Sequence, residues 1–409
     1  MNADTAVHSR YGWVIVGAML TVQTVSSGFG FYNMSVYMTE LAKLLQQPLA
    51  GISLSVTLFF VVGGISGMFV ARLLERFHVR WIMACSALAC GLCLAAVSLA
   101  DAVWHIYVLF ALFGAVNTGV SLVVATTLIT WWFPGANRSI ALSIASTGLS
   151  LGGILITPFC AYLFNTYGLA PTMPWIGLAF AVVVVPVALL VVRPPAEREV
   201  AVIAQGAPPA VAGMSYARAI RSRFFVLLAL GYLLCMGAQV GGIAHLYNLV
   251  EEIAGFALAA QAVQVLTLCS ILGRFAGGWI VTRVAARWFT LCNLLLQMTG
   301  LLVLSQAESR GLILGGAAIF GFSVGNLLMM QPLWLAEAFP GKIYPRLFAL
   351  ANAVSVAGVA AGPFLMGVAY DYASYELAYL SAMVVSSAAL LVVLAAGHRP
   401  AQAGTGESY

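Results

Sequence analysis

Glu75-Arg76-Phe77-His78-Val79-Arg80 and Thr282-Arg283-Val284-Ala285-Ala286-Arg287 are one loop written twice. Arg76 and Arg283 lie 207 positions apart, and so do Arg80 and Arg287. Each copy follows one long apolar run and precedes another. Two further echoes keep nearly the same spacing: Phe133-Pro134-Gly135 against Phe339-Pro340-Gly341, at 206, and Pro158 against Pro363, at 205. Features that recur at almost one offset read as an internal duplication, so the chain is expected to fold as two similar halves.

The composition names the solvent of those halves. Of 409 residues, 62% are hydrophobic and 8% charged, and the mean hydropathy is +1.00. A soluble domain carries roughly 25% charged residues. In hydrocarbon every backbone N–H and C=O must be satisfied within the segment, which an apolar run of about 20 residues achieves as a helix. Windows of that length predict spans at 12–35, 50–73, 81–100, 104–130, 139–164, 173–192, 224–247, 258–281, 288–306, 311–335, 347–370 and 375–396. The expected fold class is therefore all-α integral membrane, with twelve transmembrane helices in two six-helix pseudo-repeats. The expected division is an N-terminal half over 1–193, a cytoplasmic linker over 194–223 that carries Pro194-Pro195 and Pro208-Pro209, and a C-terminal half over 224–409. Met1 to Arg10 shows no small-residue cleavage site, so the first span is expected to be retained.

Basic residues orient such a chain, because cytoplasmic loops carry an excess of Lys and Arg. With the N-terminus inside, 15 of the 18 fall in cytoplasmic segments, only Lys43 and Arg310 fall outside, and Arg274 lies in the membrane. Both termini are thus expected in the cytoplasm, in a cell inner membrane. The net charge of +5 is topogenic and does not point to nucleic acid. The seven cysteines sit in apolar runs without metal-binding or redox spacing. No HExxH motif and no Cys/His grouping occurs, so neither an enzyme nor a metal or other cofactor is expected.

Arg274 stands out inside Cys269-Ser270-Ile271-Leu272-Gly273-Arg274-Phe275-Ala276-Gly277-Gly278. A guanidinium stays charged in a protein, and at the middle of a spanning helix it costs at least about 2.5–3.5 kcal/mol. Its planar fork suits a carboxylate, so the residue reads as an anion site. Ser270 lies one helical turn away on the same face. Other intramembrane polar residues are Tyr32, Asn33, Asn117, Thr118, Gln239, Tyr247, Asn248, Asn326, Gln331 and Asn352. Such residues equally well bond one helix to another. His245 is a proton-coupling candidate, because histidine titrates near physiological pH; an interfacial, half-buried position at the end of span seven is the competing reading. Arg76, Arg80, Arg283 and Arg287, with Glu75 in the first loop, are candidate gate residues, and Glu337 is a possible partner for them; simple positive-inside charge is the alternative. Small-residue pairs four apart, Gly63/Gly67, Gly148/Gly152, Gly273/Gly277 and Gly358/Gly362, mark close helix packing.

These motifs resemble the monocarboxylate-porter and oxalate–formate exchanger branch of the major facilitator superfamily. The loop at Ala71–Arg80 is similar to the superfamily's Gly-x-x-x-Asp-(Arg/Lys)-x-Gly-x-(Arg/Lys), with Ala71, Glu75 and His78 replacing consensus residues; the copy at Gly278–Arg287 keeps the first Gly and both Arg but has Thr282 for Asp. Tyr11-Gly12-Trp13-Val14 resembles the branch's opening of span one, and Trp132 to Gly148 its span-five signature. The resemblance implies the twelve-helix fold of that superfamily, alternating access, and a span-eight arginine, here Arg274, that contacts a substrate carboxylate. It also implies that spans one and four line the cavity, which favours Tyr32 and Asn117, with Asn33, Ser270 and Asn352 as further substrate-binding candidates. Ser270 stands where proton-coupled animal members have Asp, and Asn352 lies where oxalate exchangers have Lys. One cation in place of two favours a monoanion. The expected function is secondary transport of a small monocarboxylate, lactate- or pyruvate-like, with a proton as partner and a monomer as the working state. The alternatives are dicarboxylate exchange, or movement of a larger anion such as an aromatic acid or siderophore.

Overall fold

A computed structural model describes residues 3–47, 49–133, 137–195, 214–339 and 343–397. The turns at Pro134-Gly135 and Pro340-Gly341, and the linker positions 196–213, lie outside the described residues. Twelve helices among the described residues are long and apolar enough to cross a membrane: Tyr11–Tyr32, Leu54–Leu73, Val79–Leu99, Val103–Trp132, Arg138–Tyr167, Leu169–Val191, Arg223–Ala254, Ala257–Ile280, Ala286–Ser305, Arg310–Ala338, Tyr344–Tyr372 and Tyr375–Ala396. Each overlaps one expected span, and no strand occurs among the described residues. Several helices start on a serine that caps them: the Oγ of Ser222, Ser309 and Ser374 accepts the N–H of Phe225, Leu312 and Leu377. A cap satisfies one backbone donor that the first turn leaves over.

Five spans depart from regular α geometry: spans one and six end in π-helical turns, Ser27–Tyr32 and Val187–Val191, span three ends in a 3₁₀ turn, Val97–Leu99, and spans four and five are altered within their length. The fourth, whose limits are the hardest to read from sequence, is broken: a 3₁₀ turn at Thr118–Val120 leads to Ser121, whose Oγ caps the continuation Leu122–Trp132. The fifth widens to a π-helical turn over Gly152–Ile156, just ahead of Pro158, whose ring removes a backbone donor.

The chain divides into two compact units. One comprises residues 1–208 and 274–282, the other 209–273 and 283–409. The eighth span is therefore shared, with Arg274 the first of its residues to group with the first unit.

Inside each unit the helices approach through glycine, and the duplication reappears as matched contacts. In the first unit a Cβ on Gly114 would run into the backbone carbonyl of Phe59; in the second a Cβ on Gly321 would run into that of Leu266. Both members of the pair shift by 207, so the spacing read from the loops governs the packing of span two on four and of span eight on ten. The loop backbones match as well. Glu75 N–H bonds Arg72 O and Thr282 N–H bonds Trp279 O, each at 3.3 Å. Then His78 and Ala285 turn the chain into the next helix with nearly the same ψ, 128° and 136°. Gly148 and Gly152 lie against the backbone of span one around Leu20, Thr24 and Gly28, and Gly358 and Gly362 against Leu233 and Gly237 of span seven. Gly67 is a packing expectation that the structure does not use, since nothing lies within 4 Å of the Cβ position there.

These contacts set a test. Gly114→Val and Gly321→Val should each lower the melting temperature of the purified protein in detergent, because overpacking typically costs about 1–3 kcal/mol, whereas Gly67→Ala should leave it unchanged. Equal melting of all three variants would remove the packing role assigned to the glycines.

Candidate functional site

Arg274 is 2% exposed, and it is not without company. One terminal nitrogen of its guanidinium donates a short hydrogen bond to Ser150 Oγ on the fifth span. Ser150 is itself 2% exposed and also hydrogen-bonds the hydroxyl of Tyr32, which lies within electrostatic reach of Arg274. The ring of Tyr32 fits because Gly153 has no side chain: a Cβ there would sit 2.8 Å from the ring. A cation, two hydroxyls and a bare glycine thus meet within the first unit. A hydrogen bond to a charged group contributes about 1.5–3 kcal/mol, which offsets part of the cost of burying the guanidinium.

The fifth span places this partner by helical spacing. Ser139, Ser143, Ser146 and Ser150 recur at steps of four, three and four, and therefore share one face. All four are buried. Ser139 Oγ donates to Gly278 O at 3.0 Å. A Cβ on Gly278 would collide with Ser143 Oγ, so this glycine admits the serine face to the backbone of segment 274–278. Ser150 was not among the expected site residues. The serine row that points to it is visible in the sequence, but nothing there says that the row faces Arg274.

The remaining expected residues divide. Asn117 Oδ1 accepts from Ser26 Oγ at 2.9 Å and from Cys90 Sγ at 3.9 Å, so its carbonyl joins spans one, three and four. Asn33 is buried beside Tyr37, with Nδ2 3.4 Å from the phenol oxygen, in a group of its own. Ser270, His245 and Asn352 belong to the second unit. Ser270 is buried, and its carbonyl lies against Gly325; Asn352 is half-buried. His245 is half-buried too, with Nε2 2.9 Å from Pro363 O and its ring 5.9 Å from that of Tyr375. Thr118 bonds Ala115 O, Asn326 bonds Phe322 O and Gln331 bonds Ser355, so these spend their side chains on helix structure.

Of the gate candidates, Glu75, Arg76, Arg80 and Arg283 are exposed. Arg287 is half-buried, donates to Leu394 O at 3.4 Å and lies 5.4 Å from the Trp288 ring. Elsewhere in the first unit, Arg193 stacks 4.2 Å from the ring of Tyr11 and 5.2 Å from that of Trp132, while Trp132 Nε1 donates to its carbonyl. This clamp ties the ends of spans one, four and six. No group of three metal-ligating side chains occurs among the described residues.

The sequence profile of the Major Facilitator Superfamily matches residues 20–329 and 262–408. The chain belongs to this superfamily. It is similar to the MFS transporter asaE of Aspergillus flavus, with 24% identity over 93% of this chain and 85% of that one. It is equally similar to monocarboxylate transporter 13 of Bos taurus, at 24% over 93% of this chain and 87% of the other. The fold is shared with the transporter FucP in its outward conformation, at a TM-score of 0.73 and 16% identity over 93% of this chain and 98% of FucP. It is shared also with the human organic anion transporter MFSD10, at 0.72 and 13% over 94% and 99%. The protein is a multi-pass membrane transporter of a small-molecule substrate, and not an enzyme.

Ser150→Ala takes one acceptor from a buried cation. It should lower the unfolding free energy by about 1–3 kcal/mol, read as a drop in melting temperature, and Ser150→Thr, which keeps the hydroxyl, should recover part of it. A Ser150→Ala protein as stable as the wild type would mean that the bond contributes nothing to holding Arg274.

Proposed function

We propose that this transporter carries a small monocarboxylate and that Arg274 takes its carboxylate. The observation that carries the reading is the pair of groups beside the guanidinium: a buried cation that bonds the hydroxyl of Ser150 and lies within electrostatic reach of that of Tyr32. Hydroxyls are neutral, so these two orient the cation without cancelling its charge. A carboxylate can take two N–H groups of the fork, and neutralising the charge lowers the cost of closing apolar walls over it. The likeness to monocarboxylate transporter 13 supports the same substrate class.

In this reading the two six-helix halves, 1–193 and 224–409, alternate access to the site, and segment 194–223 links them on the cytoplasmic side of an inner membrane. Tyr32 and Ser150 shape the pocket beside the carboxylate, with Asn33, Asn117, Ser270 and Asn352 as further polar groups of the cavity. A proton accompanies the anion. His245 is a poor carrier for it: Nε2 donates to Pro363 O, and Nδ1 is buried with no partner among the described residues. A second proton on that ring would meet no acceptor among the described residues. The carboxylate itself is the better carrier. A second reading, a larger organic anion, draws support from the fold likeness to the organic anion transporter MFSD10.

Counterflow in proteoliposomes with a panel of carboxylates, run with and without a pH gradient, tests the reading. Arg274→Gln should lose counterflow of every monocarboxylate by at least about 10-fold, the size expected for one charge-assisted contact, while still inserting and melting cooperatively. Arg274→Lys should recover only part, since an ammonium lacks the planar fork. Wild-type counterflow by Arg274→Gln would sink the site. His245→Gln should keep the stimulation by a pH gradient; its selective loss would restore histidine as the proton carrier.

A further inference from the structure

The repeat offset slips by one inside span five. Gly152 presses on Thr24 O and Gly28 N of span one as Gly358 presses on Leu233 O and Gly237 N of span seven, so these two glycines are equivalent, at an offset of 206. The prolines that follow, Pro158 and Pro363, stand at 205. Span five therefore holds one residue more than span eleven between its glycine and its proline. That residue has a visible home: over this interval span five opens into the π-helical turn Gly152–Ile156, whereas span eleven runs as α-helix from Tyr344 to Tyr372. A π turn closes its hydrogen bonds over five residues in place of four, which is how a helix absorbs one residue without breaking. Pro363 sits within a regular helix, so a proline alone does not open one.

Span one does the same directly opposite. Its turn Ser27–Tyr32 is π-helical and is closed by Asn33 N–H on Gly28 O at 3.2 Å, while span seven is α-helical from Arg223 to Ala254. The stretch from Gly28 to Arg76 is also two positions longer than that from Gly237 to Arg283. The two π turns pack on each other. Gly28 lies against Ile156, Gly152 against Ser27 and Gly28, and Gly153 against the ring of Tyr32. Ser27 Oγ donates to Leu149 O at 2.9 Å.

Each residue of an α-helix turns the chain by about 100°, so one residue more in a turn re-aims the side chains beyond it. At the end of the span-one turn the re-aimed side chain is Tyr32. In span five the turn starts just after Ser150 and sets bare Gly153 under the Tyr32 ring. The second half has neither the π turns nor the groups they serve: 206 positions on, Ser150 becomes Val356 and Gly153 becomes Val359.

We infer that the residue inserted into span five is a positioning element of the transport site: the paired π turns bring the Tyr32 hydroxyl onto Ser150 beside Arg274, and Gly153 is the positioning residue that admits the ring. Its importance for transport rests on the reading of Arg274 as the substrate site, but the placement of Tyr32 is measurable without any substrate.

A double-mutant cycle on the melting temperature of the full-length protein in detergent tests it. Tyr32→Phe and Ser150→Ala remove the two ends of one bond, so together they should lower the melting temperature by less than the sum of their separate effects. Deleting Ile154, whose side chain is 39% exposed, returns span five to the length of span eleven. In that background the two effects should add. Ile154→Ala keeps the length and should keep the coupling. Gly153→Ala covers the case in which the deletion does not fold: its Cβ would lie 2.8 Å from the Tyr32 ring, so the ring must move and the coupling should again be lost. In counterflow, Gly153→Ala should raise the KM about three-fold or more, the size of one hydrogen bond, and should raise it no further in a Tyr32→Ala background. Additive effects in the wild type, or a coupling that persists in the Gly153→Ala protein, would overturn the inference. Coupling that responds as stated while Arg274→Gln transports normally would uphold the placement of Tyr32 and overturn only the reading of Arg274.

Discussion

The carbonyl of Phe59 faces Gly114, and 207 residues later the carbonyl of Leu266 faces Gly321. Everything else in the molecule depends on approaches of this kind. Lipid tails are as apolar as leucine, so burial of apolar surface does little to hold one spanning helix against another. What remains is dispersion between atoms at contact distance and hydrogen bonds between helices, and both fall away steeply with separation. Glycine lets backbones meet. The glycines at 148, 152, 358 and 362 play the same part for spans one and five and for spans seven and eleven.

The functional chemistry uses this closeness. Ser150 can reach a guanidinium, and Ser139 the carbonyl of Gly278, because Gly278 adds no Cβ between the serine face of span five and segment 274–278. Tyr32 reaches Ser150 because Gly153 leaves room for its ring. A charge that is expensive in hydrocarbon becomes tolerable when small polar groups stand at hydrogen-bond distance, and only a tightly approached backbone provides those distances. The same glycines thus serve packing and the stabilisation of Arg274.

The duplication has been used unequally. The spacing of 207 survives in loop hydrogen bonds, in loop dihedrals and in helix contacts, which are backbone properties. It does not survive in the cation partners. Arg287 and Arg80 occupy equivalent places, yet one is held by a carbonyl and a ring while the other projects with Trp81 from the helix start. Backbone geometry is retained where any change would break a helix contact; side chains at the membrane edge are under no such constraint.

The sequence by itself determined the solvent, the number of spans, the duplication and the oddity of Arg274. Each of these is a matter of composition or period, and needs no knowledge of which helix meets which. Tertiary structure alone decided the partners. Ser150 is one of several serines in span five, and only the approach of segment 274–278 sets it apart. Asn117 reads from sequence as the equal of Tyr32, yet it bonds Ser26, and Asn33, next to Tyr32 in sequence, lies beside Tyr37. A polar residue in a spanning helix advertises that it must be satisfied, but the cost of leaving it unsatisfied is the same whoever the partner is. Helical periodicity therefore assigns a face to each side chain, and only the packed bundle assigns it a neighbour.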